Sequence, residues 1–201
     1  MAEITAAMVK QLRDKTGAGM MECKAALTEA NGNLDEAVTL LRKRGLAQAA
    51  KRAGRTTAQG VIGSYIHLGG KIGVLVEVNC ETDFVARTDD FTNLVKELGM
   101  HIAAAAPRWL RREDVPAEEV EKEKAIYRGQ MEKENKPANV MEKIIEGKLG
   151  SFYAQFVLVD QPFVRDDKVT VSQLVAQASA KTGENIQVGR FARFRVGEGA
   201  E

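Results

Sequence analysis

Cysteine is scarce in this chain of 201 residues: only Cys23 and Cys80 occur, far apart and in dissimilar contexts. Two such residues build no disulfide framework and fit free thiols in a reducing cytosol. Charge of one sign is also lacking, because 29 Lys and Arg offset 28 Asp and Glu to leave a formal +1. That balance argues against a nucleic-acid coat or an acidic tail as the main function. The two histidines, His67 and His101, have no second His or Cys at metal spacing, so no metal site is expected. No apolar run approaches the length of a membrane span, and Met1–Thr5 does not open a basic segment followed by an apolar one. A cytoplasmic protein without membrane contact is the expectation. Gly69-Gly70-Lys71 lacks the longer glycine-lysine frame of a phosphate loop. No acid, base and nucleophile stand together, so the chain reads as a binder, not an enzyme, with no cofactor.

What the sequence does contain is helical periodicity at its start. Ile4, Ala7, Met8 and Leu12 repeat at helical spacing, and Thr16-Gly17-Ala18-Gly19 breaks the pattern. Met20, Cys23, Leu27 and Ala30 mark a second helix closed by Asn31-Gly32. Asn33 with Glu36 resembles a capping box before a third stripe of Leu34, Ala37, Val38 and Leu41. Three helices of about 45 residues form a bundle of marginal size. Met20 and Met21 read as part core, part adaptable contact surface. The basic stretch Arg42 to Arg55 reads either as a solvated helix end running into a linker or as a phosphate-contacting segment. A domain boundary is expected near Ala53 to Thr57, dividing residues 1–54 from 55–201.

Val61–His67 and Ile72–Val78 predict two strands joined at Leu68-Gly69-Gly70-Lys71. Tyr65 and His67 share a face. A helix follows from about Asp89 with Phe91, Leu94, Val95, Leu98 and Ile102 inside, and Trp109 reads as a core plug. Pro116 starts a charged helix to Glu134 with a thin line of Val120, Tyr127 and Met131. Lys136-Pro137 turns the chain into a helix bearing Val140, Met141, Ile144 and Ile145. Residues 116–147 thus form a helical hairpin with a narrow seam. Leu149, Phe152, Tyr153 and Phe156 make another helical stripe. Thr170 and Gln173 suggest a capped helix ending at Gly183. Asn185 to Val196 predicts a third strand with Ile186, Val188, Ala192, Phe194 and Val196 on one face. The fold class is α+β: a three-helix domain, then a small antiparallel sheet covered by helices.

Between strand and helix lies Asn79 to Arg87, where folding alone asks for a small polar loop. Phe84 is neither. Either Phe84 and Val85 tuck under the new helix, or the ring projects to a partner. A buried Phe removes roughly 150–250 Å² from water, enough for an interface hot spot of about 2 kcal/mol.

Asn79-Cys80-Glu81-Thr82-Asp83-Phe84-Val85-Ala86 resembles the signature of the bacterial elongation factor Ts family. Thr16-Gly17-Ala18-Gly19-Met20-Met21-Glu22-Cys23-Lys24 resembles a second block of that family. The likeness extends over essentially the whole chain, through Gly147, Gln161-Pro162-Phe163-Val164 and Gly183-Glu184-Asn185-Ile186. It is nearest the short form, which has one core subdomain instead of two. The resemblance implies a ubiquitin-associated-like first domain that docks on the G domain of the GTPase elongation factor Tu. It implies guanine-nucleotide exchange on that GTPase during translation elongation. Thr82, Asp83, Phe84 and Val85 would insert beside the nucleotide site and dislodge Mg²⁺, with Phe84 the wedge and Asp83 its polar companion. His67, within Gly63-Ser64-Tyr65-Ile66-His67, and Gly17, Met20 and Met21 become further partner contacts. The short form is expected to pair two copies in a two-plus-two complex. Thr182 departs from the apolar residue that the long form tends to place near the interface, so no contact is carried over to that position. The competing readings are a ribosome- or RNA-associated module resting on Arg42 to Arg55, and a ubiquitin-like-partner adaptor resting on the first bundle.

Overall fold

A computed structural model describes residues 4–131 and 138–198. α1 (Ala6–Thr16) begins where the Thr5 hydroxyl oxygen accepts the Met8 N–H, and ends on Gly17 at φ 69°. α2 (Met20–Glu29) starts at Gly19, whose N–H donates to the Glu22 carboxylate at 3.2 Å. The Asn33 side chain accepts from the N–H groups of Asp35 and Glu36 to start α3 (Leu34–Arg52). Each start thus satisfies donors that a helix leaves unpaired. Val9, Leu12, Cys23, Ala26, Leu27, Ala30 and Ala37 form the sealed centre of the bundle. The α2 stripe begins one turn later than expected, at Cys23. Met20 opens the helix and is 58% exposed. The basic stretch is not a linker up to Arg52: α3 carries it as helix.

From there the chain gives β1 (Gln59–Ile66), β2 (Ile72–Cys80), α4 (Asp83–Ala86), α5 (Asp89–Ala105), α6 (Ala117–Met131), α7 (Ala138–Phe156), β3 (Pro162–Phe163), β4 (Asp166–Thr170), α8 (Val171–Thr182) and β5 (Gln187–Arg195). The main sheet has the order β1-β2-β5, and β3 pairs antiparallel with β4. The β1–β2 hairpin closes as expected, with Gly69 and Gly70 at positive φ and the His67 N–H donating to the Ile72 carbonyl.

The chain forms two compact units. One comprises Met1–Val61, Val78–Val95 and Gln173–Gly189; the other Ile62–Glu77, Lys96–Ser172 and Arg190–Glu201. In the first, Val78, Cys80, Ala86, Phe91, Leu94, Ile186 and Val188 are buried. In the second, Val74, Val76, Leu98 and Ile102 are buried, and Trp109 packs on Phe152 beside Val115 and Val157. Val120, Tyr127, Met141 and Ile144 close over Ile145 and Leu149 to make the narrow seam of the hairpin.

Several expectations change. The stripes of Val140–Ile145 and Leu149–Phe156 belong to one helix, α7, running unbroken through Gly147 and Gly150. Those glycines cost helix propensity, but Ile145, Leu149 and Phe152 around them are buried and outweigh it, while Val140 stays 40% exposed. The β3–β4 pair has no alternating signature, since Asp166-Asp167-Lys168 is polar throughout. The last strand is not buried along one face. Ile186 and Val188 are sealed while Phe194 and Val196 lie exposed. Arg193 instead aims inward, donating to the Ala103 carbonyl at 3.4 Å, so its neighbours point out. The turn at Lys136-Pro137, Glu134 and the Met131 side chain lie outside the described residues.

Candidate functional site

β2 runs two residues past its expected end, carrying the chain to the buried Cys80. The Cys80 Sγ–H donates to the Thr82 carbonyl at 3.1 Å. Burial, and then the nearby Glu184 carboxylate, push that thiol's pKa up, so it stays a protonated donor. Thr82 is extended, at φ −127° and ψ 156°, and its hydroxyl oxygen accepts the Val85 N–H at 3.4 Å. The expected loop is therefore a capped single turn, α4. A second cap follows at once: the Thr88 hydroxyl oxygen accepts the Phe91 N–H, and its proton goes to the Val85 carbonyl. Strand, turn and helix thus follow one another through two hydroxyl caps.

Within this corner the side chains divide. Ala86 of α4 and Phe91 of α5 are buried. Val85 and Asp83 are half-buried. Phe84 is 79% exposed and does not tuck under the helix. Asp83 pairs with Arg87 at 2.9 Å, but this is an exposed i,i+4 pair and therefore weak. The corner presents a phenyl ring with a carboxylate beside it.

A second segment grips the corner. Glu184 Oε2 accepts the N–H groups of Glu81 and Thr82 at 3.1 and 3.0 Å, and Oε1 accepts the Thr82 hydroxyl at 2.6 Å. Glu81 answers: its Oε1 accepts the Asn185 N–H at 2.6 Å and an Arg55 N–H at 3.4 Å. The buried Asn185 amide donates to the carbonyls of Ala53 and Arg55 at 3.3 and 2.8 Å. Glu184 and Asn185 appear in the sequence only as a motif. They lie about a hundred residues from Thr82, with no local pattern to connect them.

The other candidate residues have separate settings. Gly17 takes the left-handed end of α1, and a Cβ there would stand 2.6 Å from the Lys181 side chain. Met20 and Met21 are exposed together on the first turn of α2, Met21 at 78%. His67 belongs to the second unit, exposed at the end of β1, with Nδ1 3.1 Å from the Tyr65 hydroxyl. Thr182 donates its hydroxyl to the Ala178 carbonyl at the end of α8. In the basic stretch Arg44 pairs with Glu29, Arg52 reaches the Ser179 carbonyl and Arg55 reaches Glu81. Those three cations serve the fold.

His101 is buried: Nδ1 accepts the Val164 N–H at 3.3 Å, and Nε2 lies 2.9 Å from Gln161 Oε1. That pairing needs a neutral ring protonated at Nε2, and burial lowers its pKa. Among the described residues no group of three or more His, Cys, Asp or Glu could hold a metal ion. No helix among them is long and apolar enough to cross a membrane.

The family model described as elongation factor TS matches residues 1–198. The chain is 61% identical over 196 residues to an elongation factor Ts of Fervidobacterium nodosum, covering 98% of this chain and 100% of the relative. It is 61% identical over 201 residues to one from an Anaeromyxobacter species, covering 100% of this chain and 92% of the relative. Identity to one from Geobacter sulfurreducens is 59% over 198 residues, covering 98% of this chain and 92% of that one.

Proposed function

The chain belongs to the elongation factor Ts family of translation elongation factors, and on that premise we propose that it is the guanine-nucleotide exchange factor of elongation factor Tu. It binds the GDP-bound GTPase, dislodges Mg²⁺, promotes GDP release and stays bound until GTP enters. The observation that carries this reading is the 79% exposure of Phe84 on a corner capped at both ends. An exposed ring on mobile backbone would lose ordering entropy on insertion; a ring on a fixed turn loses little.

Thr82, Asp83, Phe84 and Val85 carry the exchange step. Phe84 is the wedge that enters beside the nucleotide site. Asp83, free to leave its weak pair with Arg87, competes for groups around the Mg²⁺ shell. The ion bridges phosphate and protein oxygens, so its loss strips charge neutralisation from GDP. Exchange requires tighter binding to the nucleotide-free GTPase than to the loaded one. By linkage the nucleotide weakens the factor by the same ratio, so each ligand displaces the other. No bond is made or broken by the factor, and the GDP/GTP equilibrium is unchanged.

Residues 1–54 act as a ubiquitin-associated-like docking domain whose exposed Met20 and Met21, beside Gly17, meet the GTPase. His67 serves a second contact. The open face of the sheet in the second unit, with Ile62, Ile66, Leu75 and Phe194 exposed, suits pairing with a second copy, giving the two-plus-two complex.

The test is GDP release from purified elongation factor Tu, followed with a fluorescent GDP. Wild-type chain is expected to accelerate release, and Phe84→Ala to lose about thirtyfold of that acceleration, the size of a hot spot of about 2 kcal/mol. Release at the wild-type rate by a folded Phe84→Ala protein overturns the wedge assignment.

A further inference from the structure

The wedge has a holder, and it is supplied from far along the chain. Glu184 places one carboxylate on three donors of the corner: the Glu81 N–H, the Thr82 N–H and the Thr82 hydroxyl. Glu81 returns the grip on the Asn185 N–H, and the Asn185 amide anchors to the carbonyls of Ala53 and Arg55. Three segments, at 53–55, 81–82 and 184–185, are thus tied through two carboxylates and one amide. These residues all lie in the first unit.

The grip falls on the residue that sets the ring's direction. Thr82 is the N-cap of α4, and Phe84 is the second residue of that four-residue helix. Fixing the Thr82 backbone and hydroxyl fixes the first turn, and with it the Cα–Cβ direction of Phe84. A helix of one turn has no propensity to hold itself. Without Glu184, the N–H groups of Glu81 and Thr82 turn to water and the turn becomes one of several conformers. Phe84 makes no contribution to the buried core that would restore it.

We infer that Glu184, with Asn185 behind it, is a positioning residue for nucleotide exchange, pre-setting the Phe84 wedge before the GTPase arrives. This rests on the exchange reading above. Glu184 does not touch the partner; it acts through the ring.

A double-mutant cycle on the full-length chain tests this, reading GDP release from elongation factor Tu under saturating factor. Glu184→Ala is expected to slow release roughly tenfold, the scale on which a lost pre-set geometry slows a reaction. Glu184→Asp, whose shorter arm withdraws the carboxylate from the backbone donors, is expected to slow it as well. In a Phe84→Ala background neither change should slow release further, because the group they position is gone. Glu184→Gln is expected to stay near wild type: its amide oxygen can accept both N–H groups, and its NH₂ can donate to the Thr82 hydroxyl. If Glu184→Ala fails to unfold cooperatively, Glu184→Asp carries the cycle.

Equal slowing with and without the ring, no slowing at all, or a Gln variant as slow as Ala each overturns the positioning role. Failure of the exchange reading looks different. Wild-type chain would then not accelerate release, or Phe84→Ala would match it, before any Glu184 variant is compared; the positioning role falls with it.

Discussion

At the scale of single residues, the chain separates groups that hold the fold from one that does not. His101 is the clearest holder. Its neutral ring accepts the Val164 N–H and donates to Gln161, whose amide in turn donates to the carbonyls of Gln155 and Ala105. Protonating the ring would set an N–H against the Val164 N–H in a buried site. The folded pKa lies below the ordinary value of 6.5 because burial disfavours the cation, and the Gln161 bond only partly offsets this. The unfolded chain therefore binds more protons below that value. His101 stability is present above about pH 6.5 and is lost as pH falls from there toward the lowered folded value. The midpoint of thermal unfolding should fall from pH 7 to pH 5 more steeply in wild type than in His101→Gln. Parallel curves would show that the histidine does not titrate with folding. Phe84 is the opposite case: the core loses nothing when it is removed, so Phe84→Ala should leave that midpoint in place.

At the scale of elements, close approaches decide where the pieces meet. Gly60 in β1 has φ 155°, and a Cβ there would lie 2.3 Å from the Val78 carbonyl oxygen and 2.8 Å from the Asn79 Cα. Both obstacles are backbone, so neither can swing aside. Gly60→Ala is expected to push β1 from the end of β2 and to cost about 1–3 kcal/mol, as overpacking does. Urea unfolding measures it, and an unchanged midpoint would mean that the strands part freely there. The displacement falls just before Glu81 and Thr82, so exchange activity should drop with stability. α7 teaches a related point. It runs as one helix through two glycines because the residues it buries, Ile145, Leu149 and Phe152, lie on one continuous side.

At the scale of the whole molecule, the balance between covered and uncovered apolar surface matters most. In the second unit Val74 and Val76 are sealed, while Ile62, Ile66, Leu75, Phe194 and Val196 stay exposed. A monomer rarely leaves such residues together in water without a use for them. If a second copy covers them, Ile66→Lys with Phe194→Asp should convert a dimer to a monomer in sedimentation velocity. It should do so without changing the secondary structure seen by circular dichroism. A wild-type chain that sediments as a monomer at micromolar concentration would remove the pairing from the proposal.

The sequence alone determined the class, the helical bundle, the hairpin turn at Gly69-Gly70 and the place where an apolar ring sits in a polar connection. These depend on neighbours a few residues apart: periodicity, caps and positive-φ glycines. It also carried the motif blocks by which the family was legible. It could not say whether Phe84 turned in or out, because that depends on how the corner packs, where Ala86 and Phe91 take the buried positions and Phe84 does not. Nor could it join Glu184 to Thr82, or turn Arg193 inward and Phe194 outward. Those facts belong to contacts between segments some ninety to a hundred residues apart. Local pattern fixes which side chains a segment has to bury or pair, and only the packed chain supplies the surfaces and donors that accept them.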